Sequence, residues 1–367
     1  MSQVPRILYV ARDDGGCGFF RCQQPAKFLK RMGFADTEVT LSKATEAQLL
    51  WADLVIMQEM GSINSADIVR FLIEHNIPYL AEFDDFIHHV SPHNVSGHGA
   101  WNPSTLFTYR AMDLARRAYG IQVSTNQLAR EYFPYNPTTY VIPNYFDKDL
   151  WTNPISRHQD DKIRIGWAGG NAHADDLFMI SNVLEKVVKE SNGQVIFETM
   201  GMTDAELRGV FKLSSIKENC PSCGYEGEIH HYLGESLEQY PLVMASKGWD
   251  IAVAPVINNS FGNCKSDNKI KEYAASGVPI IASPVVPYLE SEKEGAKLLF
   301  ADTFGEWYTH IKDLISDATK RDDIARSNRE WVARYWIQDH AKEIFEVYSE
   351  IIAKAYAVFG PRTDRPQ

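Results

Sequence analysis

The sequence predicts an α/β protein built from two doubly wound, Rossmann-like halves. Three observations carry that prediction. Short apolar runs rich in β-formers alternate with helical patterns. The alternation pauses once, over a polar stretch at 147–162. It then restarts with the same order of strand, glycine loop and helix. Alternation of this kind implies parallel sheets with helices on both faces. The length agrees, because 367 residues exceed one ordinary domain of roughly 100–200 residues.

In the first half, residues 6–11 (RILYVA) read as a strand. The glycine-rich turn 12–18 follows, then a helix over 19–33 with Phe20, Ala26, Phe28 and Leu29 broadly on one face. Further strands are expected at 53–58, 78–83, 121–124 and 139–142, separated by helices at 63–75, 106–119 and 126–133. In the second half, strands are expected at 163–167, 195–199, 250–255, 279–283 and 297–300. Helices are expected at 177–189, 237–246, 268–276, 304–316 and 322–355. The domains are read as 1–150 and 151–339, with a polar tail at 358–367. Ligands of open α/β sheets bind at the carboxyl ends of the strands. Both glycine loops are therefore expected to face a cleft between the halves.

A chain with 44% hydrophobic and 23% charged residues is globular, not disordered or fibrous. The net charge of −11 gives no general attraction to nucleic acid or anionic membrane. No apolar stretch reaches the ~20 residues that cross a bilayer, and the N-terminus reads as a strand and not as a signal peptide. Five cysteines, few and odd in number, suit a reducing cytoplasm. Cys220 and Cys223 form a CxxC with His230-His231 seven residues further on. That spacing is not a standard zinc finger; it reads as a loop with two free thiols, and no metal is expected.

The first loop carries Gly15, Gly16 and Gly18. Glycines let backbone amides approach an anion, and the following helix N-terminus adds favourable partial charge. A tight strand–helix turn explains the same glycines. Arg21, one turn into the helix, suits a phosphate contact or an ordinary surface pair. The second loop holds Gly169, Gly170, Asn171 and His173. His173 suits donation to a diphosphate, or helix capping and packing. Lys265, Lys269 and Glu272 recur at i, i+4 and i+7, which places them on one face if the helix begins early. Such a face suits a nucleoside diphosphate, with lysines on the phosphates and Glu272 on ribose hydroxyls; a solvated face with ion pairs has the same spacing. Asp84-Asp85 ends a strand ahead of His88, His89 and His93. From the residues alone the acidic pair and His93 read as loop structure.

The glycine loop, the block KSDNKIKEYAASGVPIIAS and the two-domain layout resemble glycosyltransferases of the GT-B fold, specifically the group-one retaining family. The segments CGFFRCQQPAKFL, YLAEFDDFIHHVSPHN, VIPNYFD and IRIGWAGGNAHADDL are most similar to a bacterial and phage subgroup. The resemblance covers most of the chain. It implies sugar transfer from a nucleotide-sugar donor, with retention and with no essential metal or other cofactor. The donor would sit on the C-terminal half and the acceptor mainly on the N-terminal half, to which a last helix at about 340–357 crosses back. Glu272 matches the family's ribose-binding glutamate. Eight positions upstream, where the family has a second glutamate, this chain has Cys264. Asn263 or backbone amides would then meet the sugar hydroxyls. The family's Arg and Lys after the first strand of the second domain are replaced by the region of Asn171 and His173, which leaves Lys265 or Lys269 to supply the charge. Only a sugar-transferring family, as the resemblance implies, would make Asp84-Asp85 orient an acceptor, in preference to holding a metal, and bring His93 to a reacting sugar.

The leading expectation is a glycosyltransferase with Lys265, Lys269 and His93 as catalytic candidates. Its acceptor would be a glycan, a protein, a small molecule or modified DNA, the last case being a phage DNA-base glycosyltransferase. The alternatives are a nucleotide-sugar epimerase and a non-catalytic nucleotide-sugar-binding module.

Overall fold

Two parallel sheets organise the chain. The computed structural model describes residues 4–58, 61–90, 105–152, 158–211 and 229–360. Among them, the first sheet contains β1 (Arg6–Ala11), β2 (Asp36–Leu41), β3 (Leu54–Gln58), β4 (Tyr79–Phe83), β5 (Gly120–Val123) and β6 (Thr139–Val141), in the order β2-β1-β3-β4-β5-β6. The second contains β7 (Ile163–Ala168), β8 (Val195–Met200), β9 (Ile229–Tyr232), β10 (Ile251–Ala254), β11 (Ile280–Ala282) and β12 (Leu298–Phe300), in the order β12-β11-β10-β7-β8-β9. Every pairing is parallel. The fold is the pair of Rossmann-like domains that the alternating pattern predicts.

The helices that position chemistry are few. A turn at Gly16–Gly18 and a π-helical segment at Phe19–Gln23 lead into α1 (Gln24–Arg31). In the second sheet's unit, α2 (Ala174–Glu190) follows the second glycine loop, and α3 (Tyr240–Ser246) precedes β10. Helix α4 (Asn268–Ala275) precedes β11, and α5 (Val286–Lys293) follows it. The helix expected over 322–355 is two helices, α6 (Ala318–Val332) and α7 (Ile337–Phe359), joined by a 3₁₀ turn at Ala333–Tyr335.

Contacts divide the chain into two units. One comprises Met1–Lys148, Cys264–Ser266 and Tyr335–Gln367, the other Asp149–Asn263 and Asp267–Arg334. In the first unit, Ile7, Tyr9, Ile56 and Leu80 from the strands pack with Ile337, Ala341, Ile344, Tyr348 and Ile351 from α7. Each leucine or isoleucine among them contributes about 1.5–3 kcal/mol on full burial, which seats the last helix on the first sheet. The Tyr348 hydroxyl also donates to Gln122 Oε1 at 2.9 Å. In the second unit, Ile165, Trp167 and Phe197 pack with Leu177, Ile180 and Leu184 of α2 and with Trp307 and Ile311.

Strand order locates the ligand ends. In the first sheet the chain runs from β1 to β2 and then crosses to β3 on the other side of β1. In the second it runs β7, β8, β9 and then returns to β10 on the other side of β7. These reversals are the switch points where open sheets bind ligands at the strand carboxyl ends. The glycine loops after β1 and β7 sit at them. Among the described residues, no helix is long and apolar enough to cross a membrane.

Candidate functional site

The second unit's loop is held by side chains of α4. Tyr273 and Lys269 lie one turn apart on that helix, so they reach the same partner. The Ala168 N–H donates to the Tyr273 hydroxyl at 2.8 Å, and the Lys269 ammonium donates to the Ala168 carbonyl. Both backbone groups of the last β7 residue are thus fixed. The loop then turns through Gly169, whose N–H donates to the Met200 carbonyl at 2.9 Å. A Cβ on Gly169 would lie 2.8 Å from the Trp167 ring and 3.0 Å from Lys269 Nζ. The ammonium therefore lies against the glycine backbone, 4.9 Å from the centre of the Trp167 ring. Gly201 approaches the same loop from β8, with φ +105° and a Cβ position 2.8 Å from the Gly169 carbonyl oxygen, so only glycine fits there.

Glu272 is one turn beyond Lys269. The Tyr240 hydroxyl donates to its Oε2 at 3.0 Å. Burial pushes the Glu272 carboxyl up to about 7, against the opposing pull of Lys269 and the Tyr240 hydrogen bond. His173 ends the 3₁₀ turn Asn171–His173, and its Nδ1 lies 3.0 Å from Asp176 Oδ2. Asp176 in turn accepts from the Ile257 N–H at 2.9 Å, which ties the glycine loop to the loop after β10. Gly170 has open space around its Cβ position.

Two expectations about this region are corrected. Helix α4 begins at Asn268, so Lys265 lies before it and does not share the face of Lys269 and Glu272. Asp267 occupies the N-cap and is paired with Lys271 at 2.8 Å. Lys265 belongs instead to the three-residue piece Cys264–Ser266 that clusters with the first unit. Asn263, expected at sugar hydroxyls, is committed to loop structure. Its Oδ1 accepts from the Val286 N–H at 2.9 Å and its Nδ2 donates to Asn258 at 2.8 Å. Cys264 is buried, and burial pushes its thiol up to about 12, so it supplies no charge in place of a glutamate.

The first unit's loop closes on itself. Asp13 Oδ1 accepts from the Gly15 N–H at 2.9 Å, and Asp13 Oδ2 pairs with Arg12 at 2.7 Å. A Cβ on Gly18 would fall 1.9 Å from the Asp13 carbonyl oxygen, so a tight turn requires that glycine. Gly16 has open space at its Cβ position. The phosphate contact expected of Arg21 is corrected. Arg21 is 1% exposed and is held by Glu82 at 2.6 Å, the Ile142 carbonyl at 2.6 Å and Asn144 Oδ1 at 2.8 Å. Burial pushes the Glu82 carboxyl up to about 7 in spite of this partner.

Asp84 and Asp85 follow β4 at the same edge. Asp84 is buried and receives a 3.4 Å contact from Asn144 Nδ2. Burial and the neighbouring Asp84 push the Asp85 carboxyl up to about 6, against the pull of Lys265 and Arg12. His88 stacks on Tyr135 with ring centres 5.1 Å apart, and burial pushes its imidazole down to about 4. His93, Cys220 and Cys223 lie outside the described residues.

The sequence reading missed Tyr240, Tyr273, Asp176, Asp267 and Lys271. Tyr273 and Lys271 stand inside the very block that it singled out. Their roles depend on partners 105 residues away at Ala168 and four away at Asp267. Only the second has a local spacing signal.

No protein-family model and no curated protein sequence matches the chain. Solved structures do match in fold. A sucrose-phosphate synthase from Thermosynechococcus elongatus is 13% identical, with a TM-score of 0.68 over 96% of this chain and all of that one (100%). Anabaena HepE, solved in complex with UDP and with UDP-glucose, is 15% identical with a TM-score of 0.62; the UDP complex covers 95% of this chain and 100% of that chain. A Listeria monocytogenes protein assigned as a UDP-N-acetylglucosamine 2-epimerase is 10% identical, with a TM-score of 0.57 over 96% of this chain and 98% of that one. The architecture is thus the GT-B fold.

Proposed function

We propose that the chain is a glycosyltransferase that moves a sugar from a nucleotide-sugar donor to an acceptor, with retention and without a metal. The observation that carries this reading is the Lys269 ammonium lying against Gly169 at the second sheet's switch point, one helical turn from Glu272. A diphosphate seated on the loop at Gly170, beside the Gly169 backbone whose own N–H is taken by Met200, meets positive charge from Lys269 and from the start of α2. His173, oriented by Asp176, borders the same loop. Glu272 accepts from ribose hydroxyls. As the glycosidic bond breaks, the leaving diphosphate gains negative charge, and a fixed ammonium stabilises that state more than the bound donor.

The acceptor belongs to the first unit in this reading. Asp85 offers a carboxylate that accepts a hydrogen bond from an acceptor hydroxyl and orients it. HepE, of similar fold, is solved with UDP and UDP-glucose, which supports a uridine nucleotide as the first donor to try. The test is release of nucleoside diphosphate from a panel of nucleotide sugars, with and without added acceptors. Release that grows with an acceptor supports the reading. A donor epimerised without any acceptor supports the second reading, which the Listeria neighbour favours. Binding of donor with neither reaction supports a non-catalytic module.

A further inference from the structure

We propose that Tyr240 is a positioning residue that fixes Glu272 so that one carboxylate oxygen is presented to two adjacent hydroxyls of the bound donor. The inference rests on the functional reading above and deepens it at the same site. The Tyr240 hydroxyl holds Glu272 Oε2 at 3.0 Å. Glu272 remains half-buried, so Oε1 is the oxygen left to meet a ligand. A glutamate has three rotatable side-chain bonds. Holding it in one rotamer before the donor arrives removes an ordering cost from binding.

Tyr240 is itself held. It opens α3, its N–H donates to the Ser236 carbonyl at 2.8 Å, and Pro241 stiffens the first turn. The Trp151 ring meets its face edge-on with centres 5.9 Å apart. Burial and the nearby Glu272 carboxylate push the phenol upward, which keeps it a donor. The ring contact with Trp151 is apolar, so the hydroxyl's work is separable from packing: Tyr240→Phe keeps the ring and removes only the donor.

The experiment is calorimetric binding of UDP, 2′-deoxy-UDP and UDP-glucose to wild type, Tyr240→Phe, Glu272→Gln and the double variant, across neutral pH. Tyr240→Phe is expected to weaken UDP binding roughly three- to tenfold with an unchanged melting temperature. The pH midpoint of binding should rise, because the lost hydrogen bond favoured the carboxylate. The penalty should shrink for 2′-deoxy-UDP, which keeps only one of the two hydroxyls, and vanish in the Glu272→Gln background. Unchanged affinity and midpoint in Tyr240→Phe would overturn the proposal. So would a penalty that persists when Glu272 is already Gln. If wild type binds none of the three nucleotides, nor any other nucleotide sugar, the functional reading itself fails and this inference falls with it.

Discussion

The two glycine loops begin from the same plan of strand, glycines and helix, yet they end in different chemistry. The loop after β1 is closed by its own Asp13, and the arginine one turn on is buried in an ion pair with Glu82. The loop after β7 is pinned from outside by Tyr273 and Lys269 of α4, and the lysine ammonium stays against the glycine backbone. One arginine is spent on holding the first unit together, while one lysine is left at a ligand end. Glycine spacing therefore reports a tight turn; in the proposed function, the cation that reaches the second turn is what makes it an anion site.

The largest expected effect tests the first half of that comparison. Arg21→Met leaves Glu82 buried without its partner, and breaking a buried pair from one side costs about 3–5 kcal/mol. Urea unfolding should show this loss, with donor affinity little changed in the protein that remains folded. A variant of normal stability with weak donor binding would make Arg21 a ligand contact after all.

Lys269→Ala tests the second half. Turnover at saturating donor should fall about a hundredfold, as when a group that stabilises developing charge is removed. Lys265→Ala should leave that turnover much less affected and raise KM for the acceptor, because Lys265 acts on Asp85. Equal losses from the two lysines would return Lys265 to the diphosphate. Glu272→Gln comes next, with a donor affinity about tenfold lower and kcat nearly retained, since ribose hydroxyls are neutral throughout.

The pH dependence divides by sign. Glu82 and Glu272 are raised to about 7 and Asp85 to about 6. A carboxyl that holds its proton more tightly when folded contributes stability below its unfolded value. It loses that contribution as pH rises through the folded one. The ligand-free protein should thus become easier to unfold by urea between about pH 4.5 and 7, while donor binding, which uses ionised Glu272, improves severalfold over the upper part of the window. Parallel trends for both measurements would remove Glu272 from the donor site. The smallest effect expected is that of EDTA, which should leave sugar transfer unchanged; activity lost with EDTA and restored by Mn²⁺ would instead favour Asp84 and Asp85 as a metal site.

What the sequence by itself determined is the architecture. Buried parallel strands such as LVIMQ at β3 and the helices between them are written in local apolar runs, because a strand covered on both faces must be apolar along its length. Two of the four edge strands escaped that reading. β2 (DTEVTL) and β9 (IHHY) each have one neighbour and carry polar side chains, so they lack the run that marks a central strand. The resemblance also marked Glu272 and the second glycine loop. What only the tertiary structure decided is which charges reach which loop. Lys265 and Lys269 are four apart and look alike as text, but the helix begins between them, at Asn268. Arg21 and Lys269 each stand near a glycine loop in the chain or in space, but Glu82, 61 residues from Arg21, takes up the arginine. Charge pairing depends on distance in space and on burial, and neither is a property of spacing along the chain.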